Sequence, residues 1–446
     1  MSAVNKSVED GAAFSSKVIR IVFVVLLLDL LGFTLILPLL PSILDHYAQT
    51  EDGVYQSLQS VVDWFRQAVG IPLEKKYNSV LFGGLIGSLF SLLQFLSSPV
   101  TGALSDRHGR RPLLILTTLG LMSSYAVWAV SRSFSMFLLF RVIGGICKGN
   151  VSLCTAIVAD LPCPKARNRG MAMIGIAFSV GFTVGPLMGA YFAIGSRTTG
   201  NVFYQTPALL ALAFSAADLL FIWLMLPETL PKDIKVSSSG CGDSSDLLSP
   251  LSLFHFAAVS RTKDPPSRDR MQALRVLGLV YFCYLFLFSG LEFTLSFLTH
   301  QRFQFTSMQQ GKMFFFIGVI MALIQGGYAR RIKPGSHIKA VRMAIITLIP
   351  AFILIGLSWN VTMLYIGLAL YSFGESSVNL PPGSAHQKGT VMGILRSLGA
   401  LARALGPVVS SSVYWIAGAQ ACFLITSASF VIPLTLLNIA RRLKEE

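Results

Sequence analysis

The chain has 446 residues, 53% hydrophobic and 13% charged, with a mean hydropathy of +0.64 and a formal net charge of +15. Soluble proteins carry about a quarter charged residues, so half that share excludes an ordinary soluble enzyme, a disordered chain, a collagen and a coiled coil. Most of the surface must face lipid.

The first 17 residues are polar, and no small-residue cleavage pattern follows the first apolar run, so this tail is expected to stay in the cytoplasm. Twelve apolar runs follow at 18–44, 78–104, 112–131, 134–160, 171–194, 206–226, 274–297, 309–329, 341–358, 361–374, 390–416 and 419–440. Most are near 20 residues, enough at 1.5 Å per residue to cross a hydrocarbon core of about 30 Å. The expected fold is therefore an all-α polytopic membrane protein. Between the first two runs, Leu58, Val61, Val62, Phe65 and Val69 recur at helical spacing beside Trp64, the pattern of a short helix lying in the interface.

The stretch 232–272, Ser-rich and then charged, separates two six-span halves, 18–231 and 273–440, and a tail of 441–446 closes the chain. Within it Asp243-Ser-Ser-Asp246-Leu247-Leu248 fits an acidic dileucine sorting signal, so an endosomal or other internal membrane is the alternative to the plasma membrane. With both termini in the cytoplasm, the 36 Lys and Arg residues divide into 25 on the cytoplasmic side, 7 on the outer side and 4 within spans. This bias is the positive-inside rule, and it explains the basic charge without nucleic acid.

The tenth run is anomalous. Val361 to Phe373 covers about 20 Å against a core of about 30 Å, and Glu375-Ser-Ser-Val-Asn-Leu-Pro381-Pro382-Gly383 then has turn chemistry. A shortened splice form or a gene-model error is favoured over a broken helix lining a cavity.

Of six cysteines, Cys147, Cys154, Cys283 and Cys422 fall in spans and Cys163 and Cys241 in cytoplasmic loops, which forms no disulfide framework and no zinc spacing. No phosphate-binding glycine loop, metal-ligand cluster or Ser/His/acid constellation is present, so neither an enzyme nor a cofactor or metal is expected.

The spans contain Asp29, Asp218 and Glu292 against Arg141, Lys148, Arg396 and Arg403. Ionisable groups at such depth usually pair, line the bundle interior or bind substrate. Arg396 and Arg403 are seven apart, as are Arg141 and Lys148, which puts each pair on one helical face two turns apart. The cationic surplus favours an anionic substrate held by Arg403 with Arg396 or Arg141, because guanidinium matches carboxylate and sulfonate geometry. Asp29, Asp218 and Glu292 are candidates for proton coupling or helix rearrangement. For each residue a structural ion pair is the competing reading.

Three patterns recur at span boundaries and centres. Gly102-Ala-Leu-Ser-Asp106-Arg107-His-Gly109-Arg110-Arg111 closes the second span; Asp106 there can accept hydrogen bonds from a helix N-terminus while Arg107, Arg110 and Arg111 anchor to headgroups. Gly181, Gly185 and Gly189 recur every four residues, a face on which another helix backbone can approach closely, and Pro186 removes one donor and can bend the helix. The halves also echo each other: Arg110-Arg111 and Arg330-Arg331 end corresponding spans, and the step from Gly185-Pro186 to Gly406-Pro407 equals that from Arg110 to Arg331. Parallel repeats with a site at their interface are the expected consequence.

The motif after the second span resembles the signature of the major facilitator superfamily. The run from Asp29 through Gly32 and Pro38 to Pro41, together with Arg141-Val-Ile-Gly144-Gly145 and the fifth-span motif, is similar to the drug:proton antiporters of that family, bacterial tetracycline exporters among them. Asn78 to Gly84, Lys148 to Ser152 and Gly389 to Gly393 resemble a vertebrate branch of the same group. The resemblance covers the whole chain. It implies a twelve-helix fold in two six-helix halves, a monomer in the bilayer, and secondary transport of small amphipathic organic anions by alternating access, with Asp106 latching the start of the eleventh helix near Gly389. Proton-coupled export of cationic drugs is the alternative within transport. A non-transporting scaffold or receptor is the alternative outside it.

Overall fold

The computed structural model describes residues 2–49, 52–69, 78–198, 205–230, 249–256, 268–327, 337–376 and 388–445, and all regular structure among them is helical. The N-terminal half contains α1 (Ser2–Thr34), α2 (Leu40–Gln49), α3 (Gly53–Val69), α4 (Asn78–His108), α5 (Arg110–Val130), α6 (Phe134–Cys147), α7 (Asn150–Ala159), α8 (Pro164–Thr198) and α9 (Gln205–Met225). The short α10 (Pro250–Phe254) precedes the C-terminal half, α11 (Arg268–Phe303), α12 (Ser307–Gly327), α13 (His337–Leu357), α14 (Val361–Ser376), α15 (Lys388–Ser429) and α16 (Val431–Glu445). The dileucine stretch 243–248 and the basic pair Arg330-Arg331 lie outside the described residues.

Nine described stretches are long and apolar enough to cross a bilayer. One of them, Ser397–Ile439, holds two crossings, because α15 turns at Gly418 with φ +85. The first crossing lies in α1, whose apolar part carries Arg20 and Asp29. With α14 the total is twelve. At 16 residues α14 spans about 24 Å, so this helix is short, and the segment after it, 377–387, lies outside the described residues. Two spans that read as continuous are interrupted. The first breaks between α1 and α2 around Pro38, where a donor is missing. The fourth splits into α6 and α7 at Lys148-Gly149, with Lys148 at φ −75 and ψ 60.

The two halves pack alike. In the first, α1 lies against α8 and α9, α4 against α6, and α5 against α9; in the second, α11 lies against α15 and α16 and α12 against α14. Small residues permit the closest approaches. A Cβ at Gly185 would run into Thr34 of α1, and one at Gly406 would meet Phe286 O of α11. The Gly-Pro pairs at equal offset thus occupy equivalent helix crossings.

The halves meet through α4 on α15 and α8 on α12. Most named contacts across this seam lie toward the end of the bundle away from the termini. Trp415 Nε1 donates to Asn78 Oδ1 at 3.1 Å, Val408 N donates to Ser88 Oγ at 2.9 Å, and His300 pairs with Asp45 at 2.8 Å. Gly83 and Gly87 face Phe297 and Phe293, while Gly311 sits under Ala190 and Pro186. At the same end, Asp52 organises two helices: its Oδ1 accepts from Val54 N and Tyr55 N at 3.1 Å, capping α3, and its Oδ2 accepts from Phe134 N at 2.9 Å, fixing the start of α6. Held this way, α3 buries Tyr55 and exposes Leu58, Val61 and Trp64.

Candidate functional site

The deepest charges in the N-terminal half assemble around the break between α6 and α7. Because the helix stops at Cys147, Lys148 leaves the helical path and its Nζ donates to both oxygens of Asp29 on α1, at 2.8 and 2.7 Å. Both side chains are at most 4% exposed. Asn150, the first residue of α7, donates to Asp29 Oδ1 at 3.3 Å and accepts from Thr117 of α5 at 2.8 Å. The ammonium also lies 4.6 Å from the Phe33 ring. Asp29 is therefore fully engaged. Asp218 on α9 is within electrostatic reach of Asp29 and Lys148, yet its Oδ1 is buried without a hydrogen-bond partner.

Arg141 stands one level away, on α6. Its side chain is buried, its Nε has no partner, and its guanidinium lies 4.5 Å from the Phe90 ring and 5.7 Å from that of Phe140. A small cavity, with room for about one water, lies beside it between α1, α4, α5 and α6, lined by Gly32, Phe33, Phe90, Tyr125, Trp128, Phe140 and Gly144. Arg141 and Lys148, seven apart, do not share a continuous face, since the helix ends between them. Lys148 turns to an acid; among the described residues Arg141 meets aromatic rings and no carboxylate.

In the C-terminal half, Glu292 of α11 feels the charge of Arg403 on α15. Arg403 is exposed. Its direction follows from its neighbours: Gly399 and Gly406 touch α11, while Pro407 and Ser411 touch Gly84 of α4. Arg403 lies between these two contact lines, so it points into the cleft between the halves. Arg396 belongs to the same helix, but its side chain lies outside the described residues.

The motif at Gly102–Arg111 forms a network at the end of the bundle that carries the termini. Arg110 is its centre: it pairs with Asp106 at 2.6 Å and with Asp160 at 2.9 Å, and donates to Ser105. Glu228, after α9, occupies the N-terminus of α5, its Oε1 accepting from Arg110 N at 2.9 Å and its Oε2 from Arg111 N at 3.2 Å. Carboxylates are favoured there by the unpaired N–H groups and the helix dipole. Gly109 makes this approach possible: its φ is +111, and a Cβ would collide with Glu228. Arg111 donates to Trp223 O at 2.6 Å, while Asp106 and Arg107 are exposed and Gly102 has open space beside it. Gly389 opens α15, and its surroundings lie outside the described residues.

Gly181 and Gly185 lie against Leu30 and Thr34 of α1 and Gly189 against Leu35 just beyond it, and Thr34 Oγ1 donates to Gly181 O at 3.0 Å. Pro186 sits within the unbroken α8, its carbonyl against Gly311 of α12. Sequence reasoning missed three participants: Asn150, read only within the Lys148 to Ser152 run; Glu228 as a helix cap; and the Asp45–His300 pair. The signal for Glu228 was available, as an acid following the sixth span on the side of the basic motif. Nothing in sequence links Asp45 to His300.

Residues 22–407 match the profile of the Major Facilitator Superfamily. The chain is 59% identical over 431 residues to major facilitator superfamily domain-containing protein 10 of Homo sapiens, covering 95% of this chain and 92% of that protein. It is 26% identical over 409 residues to the tetracycline resistance protein, class D, of Salmonella ordonez, covering 88% and 89%. Its fold is similar to the crystal structure of the human organic anion transporter MFSD10 (TETRAN), with a TM-score of 0.80, 58% identity, and coverage of 95% of this chain and 99% of that one.

Proposed function

The chain belongs to the major facilitator superfamily as a multi-pass membrane transporter, and from that premise we propose that it moves small amphipathic organic anions by alternating access. The observation that carries the reading is Arg141: a buried guanidinium beside an aromatic-walled cavity, with no described carboxylate to neutralise it. A cation so placed is costly unless an anion joins it. Arg403, aimed into the cleft between the halves, is the second attachment point, and Arg396, seven residues earlier in the sequence, is the third candidate. The name of the human relative as an organic anion transporter supports the same class.

The seam contacts away from the termini are those of a molecule closed on that side. The Lys and Arg distribution supports termini in the cytoplasm, and on that reading the closed side faces out. We assign the chain to the plasma membrane as a monomer. Asp218, a buried acid lacking a partner for one oxygen, is the one observation favouring a cationic substrate. Uptake of labelled anions and cations into proteoliposomes, with and without a pH gradient, decides between the two. Saturable anion uptake is expected; uptake of cations alone would overturn the assignment.

A further inference from the structure

His300, near the end of α11, contacts two acceptors among the described residues. Its Nε2 is 2.8 Å from Asp45 Oδ2 on α2, and its Nδ1 is 3.1 Å from Phe305 O. Both partners are acceptors. A neutral imidazole carries a single N–H, so one of these contacts would set a lone pair against a lone pair. The doubly protonated ring satisfies both. The geometry therefore selects imidazolium, and its charge lies across the seam: Asp45 belongs to the N-terminal half and His300 to the C-terminal half.

The pair sits at the end of the bundle that must separate for the central cleft to open away from the termini. His46, beside Asp45, is pushed below its usual range by burial, and Tyr55 on α3 is pushed upward by burial and then by Asp45, so both are uncharged near neutrality. Tyr414 of α15 donates to Gln301 Oε1 at 2.9 Å. Arg302, on the same helix as His300, is directed to the carbonyls of Gly356 and Ser358 at 2.7 and 3.0 Å. Among these groups the imidazole is the side chain whose ordinary titration range lies between about pH 5 and 8.

We propose that Asp45 and His300 form a proton-dependent latch that holds this end of the transport cleft closed. The closed state binds one proton more than a state in which the ring has left both acceptors. By linkage, lowering pH on that side favours closure and raising pH favours opening. The latch rests on the alternating-access reading and adds to it the chemical signal that reaches the gate.

The test uses the full chain in nanodiscs, with the native cysteines replaced and Ser411, buried at the seam beside Gly84, changed to Cys. An impermeant maleimide labels this position only when that end opens. At pH 5.5, His300→Gln and Asp45→Asn should each label about two- to fivefold faster than the parent, the scale of a partly exposed ion pair. The double variant should match the single ones, and at pH 8 all four proteins should label alike because the parent has lost the latch. Equal ratios at both pH values, or additive effects in the double variant, would overturn the proposal. Labelling needs no substrate, so its outcome is separate from the anion assignment. Altered labelling without anion uptake rejects the substrate reading alone, and anion uptake with pH-independent labelling ratios rejects the latch alone.

Discussion

Replacing Lys148 with Met removes the ammonium that contacts both oxygens of Asp29 and leaves a carboxylate at most 4% exposed, held by Asn150 at 3.3 Å. Breaking one partner out of a buried pair costs about 3–5 kcal/mol. The surviving hydrogen bond to Asn150 returns about 1 kcal/mol, and Met fills much of the lysine stem volume, so the net loss should be about 2–4 kcal/mol. Removing Asp29's charge as well, in Asp29→Asn with Lys148→Met, removes the stranded charge. That double variant should recover most of the loss. The assay is the fraction of folded monomer after graded heating in detergent, followed for the parent, both single variants and the double variant. Single variants as stable as the parent, or a double variant whose loss equals the sum of the two, would refute the claim that the residues act as one unit.

Other sites give sharper local tests. Gly109→Ala places a Cβ at φ +111 and against Glu228, and should lower thermal stability by about 1–3 kcal/mol. Glu228→Ala uncaps α5 and should cost about 1 kcal/mol, with Glu228→Gln recovering part of it, both read from the same heating curves. Arg141→Lys keeps the charge and loses the planar fork, so anion affinity in uptake assays should fall, and Arg141→Ala should lower it further while leaving the protein folded. Inserting about two apolar turns after Phe373 should raise yield and uptake if the short α14 reflects missing helix; harm from the insertion would reject that reading.

The legible part of this molecule was what a single stretch of chain can encode. Apolar run length gives the spans, and Gly181, Gly185 and Gly189 announce a close helix approach by spacing alone. The Gly102–Arg111 motif announces a charged span boundary. Pairings between distant helices were not legible. Asp29 and Lys148 stood out as buried charges, but a break at Gly149 turns the lysine toward α1, and a helical-face argument from Arg141 assumes a helix that does not run through. Asp106 is read as the acceptor for the start of the eleventh helix near Gly389, whose surroundings lie outside the described residues; in the structure Arg110 pairs with Asp106, and Glu228, far along the chain, fills the α5 terminus. Asp45 and His300 lie outside the apolar cores of their spans, where a search for intramembrane charge does not look.

The central claim is an anion site, containing Arg141, that is presented alternately to the two sides of the membrane. Counterflow tests it most directly: proteoliposomes loaded with an unlabelled small organic anion are diluted into a trace of the same anion labelled. The parent protein should accumulate label transiently above the level in unloaded vesicles, and Arg141→Ala, inserted to the same amount, should lose that overshoot. Entry of label that is indifferent to the internal anion, or an overshoot unchanged in Arg141→Ala, would contradict the account.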